Sequence, residues 1–365
     1  MTTTTITATC ACNAFTYVVS FPSSTLPRPR ALCICNSCRR LTGSCGTSQI
    51  TLPAEYSVEP ANYSLTSYNT SDHLTRYFCS TCGAHVLVYR VESKTWALTT
   101  GTWDRTEGVV RWSGCQWVAD TLDGGVSVWL RGSGEAGSDG TTGALKRWML
   151  TAEEEGGDGE LVPDGTLETL PPDKKRKSDK LKAQCHCGGV KFYITRPDQG
   201  SKAVRPPLPD LMVAHHCHSS ANPENKTWWS RSNDTKYLAG TCTCTSCRLA
   251  SGCEIQPWAF VPECNIFQED GKPLDFNMGT LKRYDSSKNI FRDFCGVCGA
   301  TVFWHSTERP GLMDVSVGLL DPEEGARAES WLEWWTGRVS FEELAVSRSL
   351  VASLKDGLKN WKQNC

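Results

Sequence analysis

No stretch of this sequence approaches the roughly 18 uninterrupted apolar residues of a membrane-spanning helix. Its opening, MTTTTITATCAC, holds neither a basic segment nor an apolar run of leader length. There is no excess of charge: 38 basic against 40 acidic residues leave a net charge of −2. That balance argues against holding nucleic acid or an anionic membrane by bulk electrostatics. Aromatic residues are missing altogether from 149–191, where acidic, glycine and proline content gives way to a basic block. Such a composition cannot bury enough surface to order itself, so 151–181 is expected to be a flexible linker. These absences together lead us to expect a soluble, cytoplasmic protein. Lys174–Lys177 (KKRK) could act as a nuclear import signal, although short basic blocks in linkers are usually plain solvated charge.

Cysteine is abundant instead, at 20 in 365 residues. An even count invites a disulfide framework, but that belongs to small exported domains short of a core. Fourteen tryptophans and many aliphatic residues supply a core here. The cysteines also cluster as CxC and CxxC, spacings that converge neighbouring thiols on one metal ion.

The clusters occur twice in one order. A CxC pair (Cys10 and Cys12; Cys185 and Cys187) precedes a CxCxxCR triple (Cys33, Cys35 and Cys38; Cys242, Cys244 and Cys247). An aromatic-CxxCGA segment follows (Cys79 and Cys82; Cys295 and Cys298), then a short strand running into Gly-x-x-Asp (Gly101 and Asp104; Gly318 and Asp321). Four ordered landmarks mark a tandem duplication, with one copy over 1–150 and the other over 182–345. Cys12 and Cys33 are 21 positions apart but Cys187 and Cys242 are 55 apart, so the second copy carries about 34 additional residues within 198–237. Short β-branched or aromatic segments such as HVLVYRV, VKFYIT and ATVFWHS read as strands. Only the tail, 346–365, has a helical period. The fold expected is all-β: two tandem zinc-binding β domains with knuckle turns at the cysteines and a short C-terminal helical tail.

Seven motif cysteines per copy divide into four and three. Joining the CxC to the distant CxxC gives a closed four-thiolate site, Cys10, Cys12, Cys79 and Cys82 or Cys185, Cys187, Cys295 and Cys298. The triple is left with three thiolates and a vacant coordination position, as in a catalytic zinc site. Up to two Zn²⁺ per domain follow.

CHCG, CxCxxCR with its small-Gly turn, and CxxCG in this order resemble the glutathione-dependent formaldehyde-activating enzyme family, which includes the centromere protein V domain. The resemblance covers both halves apart from the linker, the insertion and the tail. It implies an Mss4-like β fold and the same division into a structural and a catalytic zinc. It also implies a carbon–sulfur lyase that joins formaldehyde to glutathione, with a small thiol or thiol adduct as partner. The alternative is a non-catalytic, zinc-stabilised binding module of the centromere type. Arg39 and Arg248, directly after the triples, could hold a substrate carboxylate or neutralise the zinc–thiolate cluster.

Other candidates fit less well. The run His215-His216-Cys217-His218 lacks a distant partner pair to close a coordination shell. His85 follows CGA in the first copy, but Thr301 stands there in the second. Cys45, Cys115, Cys217, Cys253, Cys264 and Cys365 fall outside the motifs. The tryptophans, Trp103, Trp117, Trp258, Trp331 and Trp335 among them, read as core and pocket walls, since no basic stripe interleaves them. The first copy also lacks, after Cys12, the glycine that the second has at Gly188.

Overall fold

The computed structural model describes residues 2–130, 145–163, 166–167, 178–206, 220 and 222–361. Lys174–Lys177 and His215–His218 lie outside them. Two β units built on one plan pack against each other. Among the described residues four α-helices accompany them: α1 (Asn36–Thr42), α2 (Gln199–Ala203), α3 (Thr245–Ser251) and α4 (Arg348–Asn360). No helix among the described residues is long and apolar enough to cross a membrane.

Each unit opens with a hairpin whose alternate side chains point inward, as a period of two requires. In the first, Thr3–Thr9 pairs with Thr16–Pro22 and buries Ile6, Ala8, Val19 and Phe21. In the second, Lys180–Gln184 pairs with Lys191–Thr195 and buries Leu181, Ala183, Phe192 and Ile194. A strand then leads into each triple, Arg28–Cys33 or Lys236–Cys242, with a later strand running parallel beside it. The remaining strands form an antiparallel array in the same spatial order in both units. In the first the order is Gln49–Thr51, Thr95–Thr99, His85–Arg90, Leu74–Cys79, Leu65–Ser71. In the second it is Gln256–Pro262, Leu312–Ser316, Thr301–Ser306, Ile290–Cys295, Leu281–Ser287. The all-β class and the duplication are both present, with one addition among the described residues: Ile266–Gln268 extends the second unit's hairpin by pairing with Lys191–Thr195.

The sequence reading and the structure differ in two places and agree on the tail helix. The triples do not end in bare knuckle turns but run into α1 and α3, seven residues each. Two turns are too short to show an apolar period. The segment from 151 is packed as far as Val162. Ala152 is fully buried, and Glu155 accepts hydrogen bonds from the Ala31 N–H at 3.2 Å and from Gln116 at 2.9 Å. Backbone and carboxylate contacts hold it, which aromatic content does not report. The tail helix does form, over Arg348–Asn360, but it lies on the first unit. There the Ser349 N–H donates to Glu107 at 3.3 Å, and Trp361 meets Trp129 edge-on at 5.3 Å.

The units hold one another through α1 and α3. Each helix ends in a left-handed glycine, Gly43 (φ 72°) and Gly252 (φ 77°). A Cβ on Gly43 would lie 2.1 Å from the Thr301 carbonyl oxygen of the second unit. One on Gly252 would lie 2.1 Å from the His85 carbonyl oxygen of the first. Both glycines are therefore required twice over, for their backbone angles and for close approach.

Candidate metal centres

The hairpin turn carrying CxC and the turn carrying CxxC face each other in each unit. Their four sulfurs lie within 4.8 Å of one another, and adjacent ones at 3.4–3.6 Å. A disulfide bond is about 2.05 Å long, and every described cysteine is free. Zinc–sulfur bonds of about 2.3 Å on a tetrahedron separate the sulfurs by roughly 3.8 Å. Both closed sets, Cys10/Cys12/Cys79/Cys82 and Cys185/Cys187/Cys295/Cys298, thus assemble with dimensions that suit zinc.

Electrostatics points the same way. Hydrogen bonds from Cys10 and Cys82 pull the Cys79 thiol down to about 2, and its bond with Cys79 pushes Cys10 up to about 12. Cys295 is pulled far below the usual thiol range by Cys185 and Cys298, while Cys185 is pushed up to about 12. Crowded sulfurs that share only protons cannot all ionise together. A divalent cation lets all four ionise.

The triples are built at helix N-termini. Cys35 caps α1 by accepting the Cys38 N–H at 3.3 Å, and Cys244 caps α3 by accepting the Cys247 N–H at 3.3 Å. This favours thiolates. Cys33, Cys35 and Cys38 converge within 4.8 Å, as do Cys242, Cys244 and Cys247, and among the described residues no further Cys, His, Asp or Glu joins either set. Three sulfur donors with no fourth protein ligand fit an open zinc site.

Two arginines that the sequence reading passed over complete these sites. Arg76 donates from Nη2 to Cys38 Sγ at 3.4 Å, and Arg292 from Nη2 to Cys247 Sγ at 3.5 Å. Both are buried. Cys38 is held well below the usual thiol range by hydrogen bonds from Cys33 and Cys35, with the Arg76 charge adding to them. A repeated signal was available, since each arginine stands three residues before the CxxC, in RYFC and RDFC.

Arg39 and Arg248 sit elsewhere. Arg248 is buried and donates from Nη1 to the carbonyls of Gly101 (2.5 Å) and Trp103 (2.8 Å) in the first unit. Arg39 is buried and donates to Asn36 Oδ1 of its own helix. Neither hydrogen bond reaches a triple sulfur. His85 is buried as well, donating from Nε2 to the Leu41 carbonyl at 2.9 Å, and burial lowers its pKa to about 3.

Each triple also borders the other unit's closed set. The His186 N–H donates to the Arg40 carbonyl at 3.1 Å, and the Ala11 N–H to the Leu249 carbonyl at 3.2 Å. His186 lies between Cys185 and Cys187, and its Nδ1 bonds the Tyr68 hydroxyl at 2.8 Å. Burial lowers its pKa, the Arg76 charge adds to that, and the Cys35 thiol opposes it. An imidazole of the second unit thus stands in the electrostatic field of the first unit's triple. The symmetric place beside the second triple holds Ala11, whose carbonyl accepts from the Tyr284 hydroxyl at 3.5 Å.

A family profile described as glutathione-dependent formaldehyde-activating enzyme matches residues 5–119 and again 230–338, more than half of the chain. The second match begins after Cys185 and Cys187, which the fold nonetheless brings to Cys295 and Cys298. No curated protein matches, and no solved structure matches.

Proposed function

The chain therefore belongs to the glutathione-dependent formaldehyde-activating enzyme family, and we propose that it is a zinc-dependent carbon–sulfur lyase acting on thiol–aldehyde adducts at its two open triples. The observation that carries this reading is the convergence, in both units, of three cysteine sulfurs at a helix N-terminus without a fourth protein ligand. A site meant only to staple the fold gains from closure, as the four-cysteine sets beside it do.

In the forward direction a thiol sulfur attacks the aldehyde carbon, the C–S bond forms and the carbonyl π pair moves to oxygen. The proton released by the thiol ends on that oxygen to give the carbinol; the lyase direction reverses each move. When bound, zinc supplies Lewis acidity toward a thiol sulfur or carbinol oxygen. Three thiolate ligands weaken that acidity by donating charge. The guanidinium groups of Arg76 and Arg292 draw charge from Cys38 and Cys247 and so oppose the weakening. His186, in the electrostatic field of Cys35, places a hydrogen-bonding group near the first triple where the migrating proton can be held, and the Tyr68 hydroxyl fixes its ring.

Two measurements test this. Replacing Cys33, Cys35 and Cys38 together by serine is expected to remove one zinc per chain by elemental analysis, and so is replacing Cys242, Cys244 and Cys247. Formation of S-hydroxymethylglutathione from formaldehyde and glutathione is expected to fall with the loss of the triples. Unchanged metal content, or zinc loss with adduct formation never above the uncatalysed rate, leaves the non-catalytic binding module.

A further inference from the structure

The two open triples stand over different sheet faces. Strand register allows the comparison position by position. In the first unit a ladder runs Tyr68, Arg76, Val88, Ala97, Thr51 across adjacent strands. The same ladder in the second unit runs Tyr284, Arg292, Trp304, Asp314, Phe260. The tyrosine and the sulfur-binding arginine are kept at one end, and every position beyond them has changed. Two positions along, on the same sheet face, Gln49 faces Thr99 where Trp258 faces Ser316. Gln49 accepts a hydrogen bond from Arg76 at 3.5 Å.

In the second unit these changes gather aromatic rings at the triple. Cys242, Cys247 and Trp258 form an apolar cluster separate from the main core, with Cys244, Trp304 and Phe341 packed against it. Trp258 is buried, whereas Trp304 and Phe341 are only partly buried. Trp304 is held in place from its far side. The Arg309 guanidinium lies 4.9 Å over its ring and is paired with Asp314, the residue opposite Trp304 in the ladder. Arg309 is thus a positioning residue for Trp304. Both Trp304 and its support are absent from the first unit, where Val88 and Ala97 stand in the same register.

We propose that the second triple takes thiols and thiol adducts whose sulfur carries an aromatic substituent, with Trp304 and Phe341 as its specificity-determining residues. This rests on the lyase reading above and adds the substrate class of one of its two sites. A partly buried indole and phenyl ring beside a sulfur-binding position leave some apolar surface that a small hydrophilic thiol does not cover. A planar apolar group covers it and gains both burial and ring stacking. In the first unit Trp117 stands where Phe341 does, each a left-handed residue directly after the partner of the triple's first cysteine, but Val88 and Gln49 replace Trp304 and Trp258, so a ring on that side of the sulfurs is missing.

Cobalt-substituted protein provides the test, because saturated four-thiolate sites do not respond to added ligand whereas open sites change their absorption. The intact chain is titrated with phenylmethanethiol, glutathione and 2-mercaptoethanol. One spectral phase is expected to favour phenylmethanethiol over 2-mercaptoethanol by about tenfold or more. That preference is expected to vanish in Trp304→Val and to shrink in Phe341→Leu, which lies outside the strands and serves if the first variant fails to fold. Equal affinity for the two thiols, or a preference unchanged in the variants, overturns this inference and leaves the lyase reading standing. Tighter binding of 2-mercaptoethanol in Trp304→Val also overturns it, since the rings would then only cover the sulfurs. No response to any thiol at either site overturns the lyase reading itself.

Discussion

A guanidinium buried against a thiolate explains why Arg76 and Arg292 can sit inside a β-rich core at all. Their charges face the sulfurs of Cys38 and Cys247, which a bound metal would keep deprotonated. Arg76→Met is expected to weaken zinc binding at the first triple by about 10- to 100-fold. Chelator competition measures this, and the closed sets serve as the unchanged reference. Glu254 poses the opposite case. Burial pushes its carboxyl up to about 7, with Arg248 and Thr100 acting against the shift. An unfolded chain releases that proton near 4.5. Stability from this group is therefore greatest below that value and falls as pH rises toward 7, by about 3 kcal/mol at most. Denaturant unfolding of Glu254→Gln against the parent chain checks it: their difference should vary with pH between about 5 and 8 and flatten outside that window. At this scale the cysteines were legible in the sequence because metal coordination dictates ligand type and spacing. The arginines were written there too, three residues before each CxxC, but a lone cation at an alternating strand position reads as solvent-facing unless the two copies are compared. His186 was hidden because its role depends on a neighbour 118 positions away.

The helices α1 and α3 show what an element contributes beyond its own residues. Seven residues of helix are marginal by themselves. Here each is fixed by a cysteine cap at one end and by a left-handed glycine pressed onto the other unit at the far end. Gly43→Ala is expected to cost at least about 2 kcal/mol, through clash as well as backbone strain. Gly108→Ala is the control. It has the same positive φ of 73° but nothing within 4 Å of the added Cβ, so its cost is strain alone, about 1 kcal/mol. Urea unfolding of the two variants separates the terms, and equal losses would remove the clash from the account. The strands were readable from alternation and composition, and the tail helix from its period. The contact that makes Gly43, Gly101, Gly252 and Gly318 recur was not, because backbone-to-backbone approach leaves no side-chain pattern.

Across the whole molecule, the closed cysteine sets and the open ones are interleaved between the units. The first unit's closed set rests on α3 through Ala11 and Leu249, the second's rests on α1 through His186 and Arg40, and α4 returns to the first unit. Cys82→Ser, which opens the first closed set, is expected to lower the stability of both units together. Circular dichroism and zinc release should then report one coincident transition, and two resolved transitions would show the units to be independent. The duplication itself was visible in the order of the cysteine clusters, whereas the reciprocal packing was not, since it joins residues from opposite ends of the chain. The crossed seating of the knuckles has an outcome for the history of such a chain. After a tandem copy arises, one half is ordinarily free to decay while its twin keeps working. Here decay of either half would unseat the other's cysteine clusters, so the spare copy stays folded, and the freedom left to it lies in the side chains around its open triple.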